Sequence, residues 1–205
     1  MTLGVWPREE CTFLLPHVDA VFDFYPNFLR HPSIISYEKE NVAFCEMTKA
    51  YHRILNDLSW FKPNASPNLG CRMFTASHET LIWASKSKKS KHTFNYELMK
   101  NSDFAGDKIK NPGKQMRSVW SITTPGKSEK LHGKHPTQKP LTLLDRIVLA
   151  SSNPGDVILD PFSGSATTGV AAILNNRKYI GIDLDEDFID KLAIPRIKDA
   201  ELAKV

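Results

Sequence analysis

At 205 residues, 41% of them apolar, with Cys11, Cys45 and Cys71 in no CxxC pair, the chain can bury one core without a disulfide framework or a structural zinc, which fits a reducing cytosol. The start MTLGVWPREE soon turns acidic and no window approaches a membrane-spanning apolar run, so neither export nor membrane insertion is expected, and the predicted location is cytoplasmic. The net charge of +4 hides an asymmetry, with thirteen Lys/Arg against four Asp/Glu from Lys86 to Lys139 and 14 against 19 elsewhere, which suits a polyanionic partner such as nucleic acid or, equally, a solvated lysine-rich loop.

In chain order, VDAVF (Val18 to Phe22), SIISY (Ser33 to Tyr37), ILNDLSWF (Ile54 to Phe61) and ETLIWAS (Glu79 to Ser85) read as strands, short and rich in β-branched or aromatic residues. Asn41 to Arg53 carries helical spacing and reads as a crossover between parallel strands. From SKSKKSK through NPGKQ to TTPGKSEK the periodicity vanishes and turn formers dominate, so residues 87–134 are read as a lobe inserted into one domain spanning 1–205. Order returns at KPLTLLDRIVLASS, a helix with Pro140 in its first turn and Leu141, Leu144, Ile147 and Val148 on one face, ending near Asn153-Pro154-Gly155. Strand VILD, a glycine turn, helix TTGVAAILNN, strand KYIGIDL and a last helix from about Glu186 then make a βαβ unit, which implies an α/β fold with a parallel sheet.

The turn DPFSGSATTG is the chemically informative stretch. A phosphate loop needs GxxxxGK[ST], but GSATTG is followed by Val170, and a dinucleotide fingerprint needs a middle glycine that Ser165 to Thr168 lack. What remains is a nucleoside-type ligand without a pyrophosphate, held at the carboxyl ends of the strands. Asp160 closes the first strand and can meet a cationic group. Asp183 ends the second, about twenty residues on, where a ribose diol is bound in such folds. S-adenosylmethionine has the ribose, ammonium and sulfonium that these acids suit. In the other reading, Asp160 and Asp183 only cap helices.

The segments NDLSWFKPNASPN, RMFTASHETLIWASK, HGKHPTQKP, DPFSGSATTGVAA and YIGIDLDEDFI together resemble the prokaryotic amino-methylating DNA methyltransferases, in the class whose catalytic motif precedes the cofactor motif, over about Ile54 to Ile194. The resemblance implies the S-adenosylmethionine-dependent methyltransferase fold, Rossmann-like, mostly parallel, with helices on both faces of the sheet. It implies that Asp160, Phe162, Ser163, Gly164 and Ser165 wrap the methionine part of the cofactor, that Asp183 holds the ribose, and that His135, Thr137, Gln138 and Lys139 close the other side of the pocket. Read without it, Lys139 is a basic cap on a turn and His135 a surface histidine. It also places a target-recognition region at the basic lobe, where phosphate contacts would make binding salt-dependent. Phe94, Tyr96 and Phe104 within that lobe read equally as a small local core.

The chain departs from the family at the catalytic motif. The DPPY of adenine enzymes does not occur in it, and the nearest stretch is VDAVFDFYPNF. There Asp23 would accept a hydrogen of the exocyclic amine and Tyr25 would stack on a base rotated out of the helix, although the Pro-Pro geometry is lost and the aromatic is one place early. The span between DFYP and ILND is also short for the family. The expected activity is site-specific methylation of double-stranded DNA, at adenine N6 ahead of a cytosine amine because the tetrapeptide begins with Asp, with a cognate restriction endonuclease as a further partner and a monomer or homodimer as the assembly. The alternative expectation is a truncated or decayed, non-catalytic member that still binds the cofactor or DNA.

Overall fold

The computed structural model describes residues 2–3, 33–37, 53–85, 89–104 and 107–204, the first two stretches as backbone only. The strand expected at Val18 to Phe22 and nearly all of the helix expected from Asn41 lie outside them. The chain divides into two compact units, Leu29–Thr124 and Met1–Phe28 with Pro125–Val205.

The first unit is built on a four-stranded sheet of β2 (Ser33–Tyr37), β3 (Arg53–Phe61), β4 (His78–Ser85) and β5 (Val119–Ser121), in the order β2-β4-β3-β5. All three strands expected here form. The sheet is mixed, however: β4 runs antiparallel to both of its neighbours, and only β3 and β5 are parallel. Residues 62–77 join β3 to β4 without a helix, the usual element of a parallel crossover. Leu58 and Trp60 are buried on β3, and every residue from Leu81 to Ser85 is buried on β4, as suits a strand covered on both faces over that stretch. The Trp60 indole N–H donates to the Ile122 carbonyl at 2.7 Å, and Lys62 pairs with buried Glu79 at 3.0 Å. A short helix, α1 (Tyr96–Asn101), buries Met99. Of the residues read as a basic lobe, those described up to Thr124 fall in this unit and 125–134 in the other.

The second unit holds the parallel strands β1 (Thr2–Leu3), β6 (Val157–Asp160) and β7 (Lys178–Gly181), in the order β1-β7-β6. Its helices are α2 (Leu141–Ser151), α3 (Thr167–Leu174), α4 (Glu186–Phe188) and α5 (Ile194–Leu202). The βαβ unit expected from VILD to KYIGIDL is present as β6-α3-β7. Ala166, Val170, Ala172, Ile173, Tyr179, Ala193, Ile197 and Ala200 form the core. On α2 the buried stripe is Leu143, Arg146, Val148 and Ala150, while Leu141, Leu144 and Ile147 are half-buried. An apolar pattern gives no weight to a buried arginine, and so the expected face was turned slightly from the real one. A π-helical turn, Ile189–Ala193, links α4 to α5, with the Ile194 N–H reaching back to the Ile189 carbonyl. Pro195 follows it, lacks an N–H, and would clash with an α-helical preceding turn, so the helix widens there. No helix among the described residues is long and apolar enough to cross a membrane.

Candidate functional site

The turn between β6 and α3 is stitched to the chain leaving β7. The Ile182 N–H donates to the Asp160 carbonyl at 2.9 Å, and the Ser163 N–H donates to the Ile182 carbonyl at 2.8 Å. Gly164 sits at φ +48°, and its N–H donates to Asp183 Oδ2 at 2.6 Å. The other oxygen of Asp183 accepts the Asp185 N–H at 3.0 Å. One carboxylate therefore ties the turn to the end of β7, and its acceptor capacity is not exhausted by two bonds. Ala166, also left-handed at φ +54°, is fully buried, and its N–H closes the turn onto the Ser163 carbonyl at 2.7 Å.

The capping alternative for the two acids is not what the structure contains. The residue before α3 is Ala166, which has no capping side chain, and α4 is capped by Asp185 through the N–H groups of Asp187 and Phe188. Asp160 instead accepts the Phe162 N–H at 3.1 Å and bonds the Thr168 hydroxyl. Burial pushes the Asp160 carboxyl above its ordinary range, against the pull of those two bonds, and Asp183 nearby adds to the rise. The same burial and the two carboxylates hold the Tyr179 phenol well above its usual value. Its hydroxyl meets Ser163 Oγ at 2.9 Å.

The raised Asp160 carboxyl has a consequence for stability. A native pKa above the unfolded one contributes stability that is complete below about pH 4 and is lost as pH rises through the native value, so at neutral pH the ionised side chain opposes folding. Asp160→Asn keeps an acceptor for the Phe162 N–H and removes the charge. At pH 7 its melting temperature should exceed that of the wild type, with the gap shrinking as the pH is lowered toward 4. Thermal scans across pH check this, and an equal or lower melting point at pH 7 would contradict it.

His135 is the member of the HPTQKP segment that reaches the turn. A Cβ at Gly164 would lie 3.1 Å from His135 Nε2, so the imidazole packs closely on this glycine, which is also held at a positive φ. The ring lies against Phe188, with centroids 4.4 Å apart. His135 Nδ1 accepts the Thr137 N–H at 3.3 Å, which places the proton of the neutral ring on Nε2. Burial lowers its pKa, Asp183 opposes that shift and Lys139 reinforces it. Gln138 points elsewhere: it is buried and its amide nitrogen donates to the Glu129 carbonyl at 2.8 Å, while a Glu129 carboxylate oxygen accepts the Leu141 N–H at 2.7 Å. The segment is thereby fastened to the 3-10 turn at Lys127–Lys130. Thr137 is exposed, and Lys139 donates to the Thr137 carbonyl at 3.3 Å. Phe162 is 70% exposed at the lip of the turn, whereas Ser163 and Ser165 are buried. Asp23 and Tyr25 lie outside the described residues.

Three contributors escaped sequence reading. Arg196, 8% exposed, donates from Nη1 to the Ser165 carbonyl and to Thr167 Oγ1 at 3.0 Å, holding the turn from below. Tyr179 and Phe188 pack against Ser163 and His135 respectively. Tyr179 lies two residues before Gly181 and so faces the same side of β7, a period that could have been read, but nothing in the pattern around Arg196 marks it.

A family model described as DNA methylase matches residues 32–194. The chain belongs to this DNA methylase family. Among characterised relatives it is similar to the Type II methyltransferase M2.LlaDCHI of Lactococcus lactis subsp. cremoris, at 52% identity over 71% of this chain and 51% of that one. The Type II methyltransferase M2.DpnII of Streptococcus pneumoniae is 50% identical over 71% of this chain and 52% of its own length. The chain thus spans about half the length of the relatives it matches. Among solved structures, the M1.HpyAVI-SAM complex superposes with a TM-score of 0.67 at 27% identity, covering 94% of this chain and 85% of that one. The PvuII cytosine-N4-specific DNA methyltransferase shares the fold, with a TM-score of 0.57 at 16% identity over 86% of this chain and 70% of the other. The expected S-adenosylmethionine-dependent methyltransferase fold is therefore the fold of this chain. The family match ends at residue 194, two positions before Arg196.

Proposed function

We propose that this chain binds S-adenosylmethionine at the DPFSGS turn and transfers its methyl group to an exocyclic amine of double-stranded DNA, at adenine N6. The observation that carries this reading is the junction of Gly164 and Asp183, which brings a glycine turn without phosphate-loop features under a carboxylate at the end of the next strand. In the bound state Asp183 would accept from the ribose diol, the buried turn Ser163 to Ser165 would wrap the amino-acid end, and the neutral imidazole of His135 would wall the pocket. The cofactor supplies an electrophilic methyl group. The chain's part is to hold it in line with the amine and to accept the amine's hydrogens, the role assigned to Asp23, with Tyr25 stacking on the extruded base. The relatives named as Type II methyltransferases, and the solved complex of one neighbour with SAM, support the donor and the acceptor class. A cognate endonuclease and a monomeric or homodimeric state belong to the same reading.

Calorimetry with S-adenosylmethionine and methyl transfer from labelled cofactor to mixed-sequence duplex DNA test it together. Asp183→Ala should weaken cofactor binding at least about tenfold, since it removes a charged acceptor and leaves the Gly164 N–H unpaired. Asp23→Ala should abolish transfer while leaving cofactor affinity intact; transfer that survives would remove Asp23 from the reaction. The absence of DPPY from these 205 residues favours a second reading, a chain that binds the cofactor or DNA without turning over. Binding without incorporation on any DNA would select it.

A further inference from the structure

Within the Leu29–Thr124 unit, the lysine-rich segment after β4 carries its aromatic residues on the outside. Phe94 is 41% exposed and Tyr96 39% exposed, and His92 is exposed beside them. They are nonetheless held in place. Phe94 packs on buried Trp83 with centroids 5.3 Å apart, His92 meets the same indole edge-on at 5.5 Å, and Tyr96 meets Phe94 at 6.2 Å. The Lys100 ammonium lies over the Tyr96 ring at 5.9 Å. The reading of Phe94, Tyr96 and Phe104 as a small local core suits Phe104, which is half-buried, but not two aromatic residues left more than a third open on a strip anchored from beneath.

The surroundings select the occupant. Lys89 and Lys91, a few residues before Phe94 in the chain, are exposed, and the Lys100 ammonium lies over Tyr96. Glu97, the acidic residue of α1, is engaged by Asn101 at 3.1 Å and by Lys100 at 3.9 Å. Flat, partly open rings flanked by cations match the two halves of a nucleotide, a π-face and a phosphate. In an intact duplex the base faces are hidden in the stack, so such rings serve a base that has left it. An enzyme that modifies an exocyclic amine must take its target out of the stack and thereby strands the partner base. We infer that Phe94 and Tyr96 are a stacking platform for an unpaired base of the DNA substrate. The inference rests on the proposed DNA methyltransferase reading and adds to it a contact that carries base affinity apart from phosphate charge.

The test uses the full chain, a mixed-sequence single-stranded oligonucleotide and the matching duplex, with affinities measured over a range of salt. The double variant Phe94→Ala, Tyr96→Ala should weaken single-strand binding about tenfold or more, with the salt slope unchanged. Phe94→Trp should retain wild-type affinity and Phe94→Leu should lose it, because the platform needs an aromatic face. Unchanged affinity would overturn the inference, as would a lowered melting temperature with affinity intact, the mark of a local core, or loss of a dimer in sedimentation, the mark of an interface between copies. Methyl transfer by the wild-type chain is measured alongside. Transfer with unaltered variant affinity sinks the platform and leaves the function. DNA binding that the variants weaken, without any transfer, keeps the platform and sinks the function; a wild type that binds no DNA sinks both.

Discussion

Arg196→Ala is expected to weaken S-adenosylmethionine binding about 10- to 100-fold and to lower the melting temperature by several degrees. The guanidinium is buried and bonds the Ser165 carbonyl and Thr167 Oγ1, so its removal leaves a buried carbonyl without its charged donor at the turn that would wrap the cofactor. A hydrogen bond to a charged group is worth about 1.5–3 kcal/mol, and each 1.4 kcal/mol is a factor of ten. Burial lowers the Arg196 pKa, which Glu129 opposes, but an arginine stays charged through any working range of pH, so the loss should not depend on pH between 6 and 8. Arg196→Lys keeps a cation with fewer donors in a different shape and should recover part of the affinity. Calorimetry and thermal scans on the three proteins decide the matter. If Arg196→Ala lowers the melting point but binds the cofactor as the wild type does, the residue serves packing and not the turn.

Gly169→Ala should destabilise the same unit. A Cβ there would fall 2.5 Å from Tyr179 Cε1 and 2.6 Å from Ile197 Cδ1. Both side chains are buried, and the Tyr179 hydroxyl is held by Ser163 at 2.9 Å, so the ring has nowhere to go without pulling on the turn. Overpacking of this kind costs about 1–3 kcal/mol, which for a chain of this size is roughly 2–12 °C in melting temperature. Intrinsic helix propensity argues the other way by up to about 1 kcal/mol, since alanine is the better helix former. The direction of the measured shift therefore separates packing from propensity: a stabilised Gly169→Ala would show that Tyr179 and Ile197 yield freely.

Elements built from near neighbours were legible in the sequence. VILD, TTGVAAILNN and KYIGIDL carry their own periodicities, and the turn between them announces itself by its glycines and by the lysine it lacks. ETLIWAS was legible as a strand but not in its direction, because orientation depends on what the chain does between residues 62 and 77. Among the site residues, Asp160, Gly164 and Asp183 were read as one group, and the structure joins Gly164 and Asp183 directly. Gln138 belonged to the right motif but turns inward to Glu129, a contact that no spacing reports.

The sequence by itself determined the βαβ unit, the absence of a phosphate cradle and the carboxylate at the end of the second strand, because each is written in residues a few places apart and enforced by backbone sterics. Only the tertiary structure decided that His135 packs over Gly164, that Arg196 fastens Ser165 from 31 positions away, and that the rings of Phe94 and Tyr96 stay open to solvent. Those contacts join segments far apart in the chain, and which of them form depends on how whole elements pack, a quantity that no local period encodes.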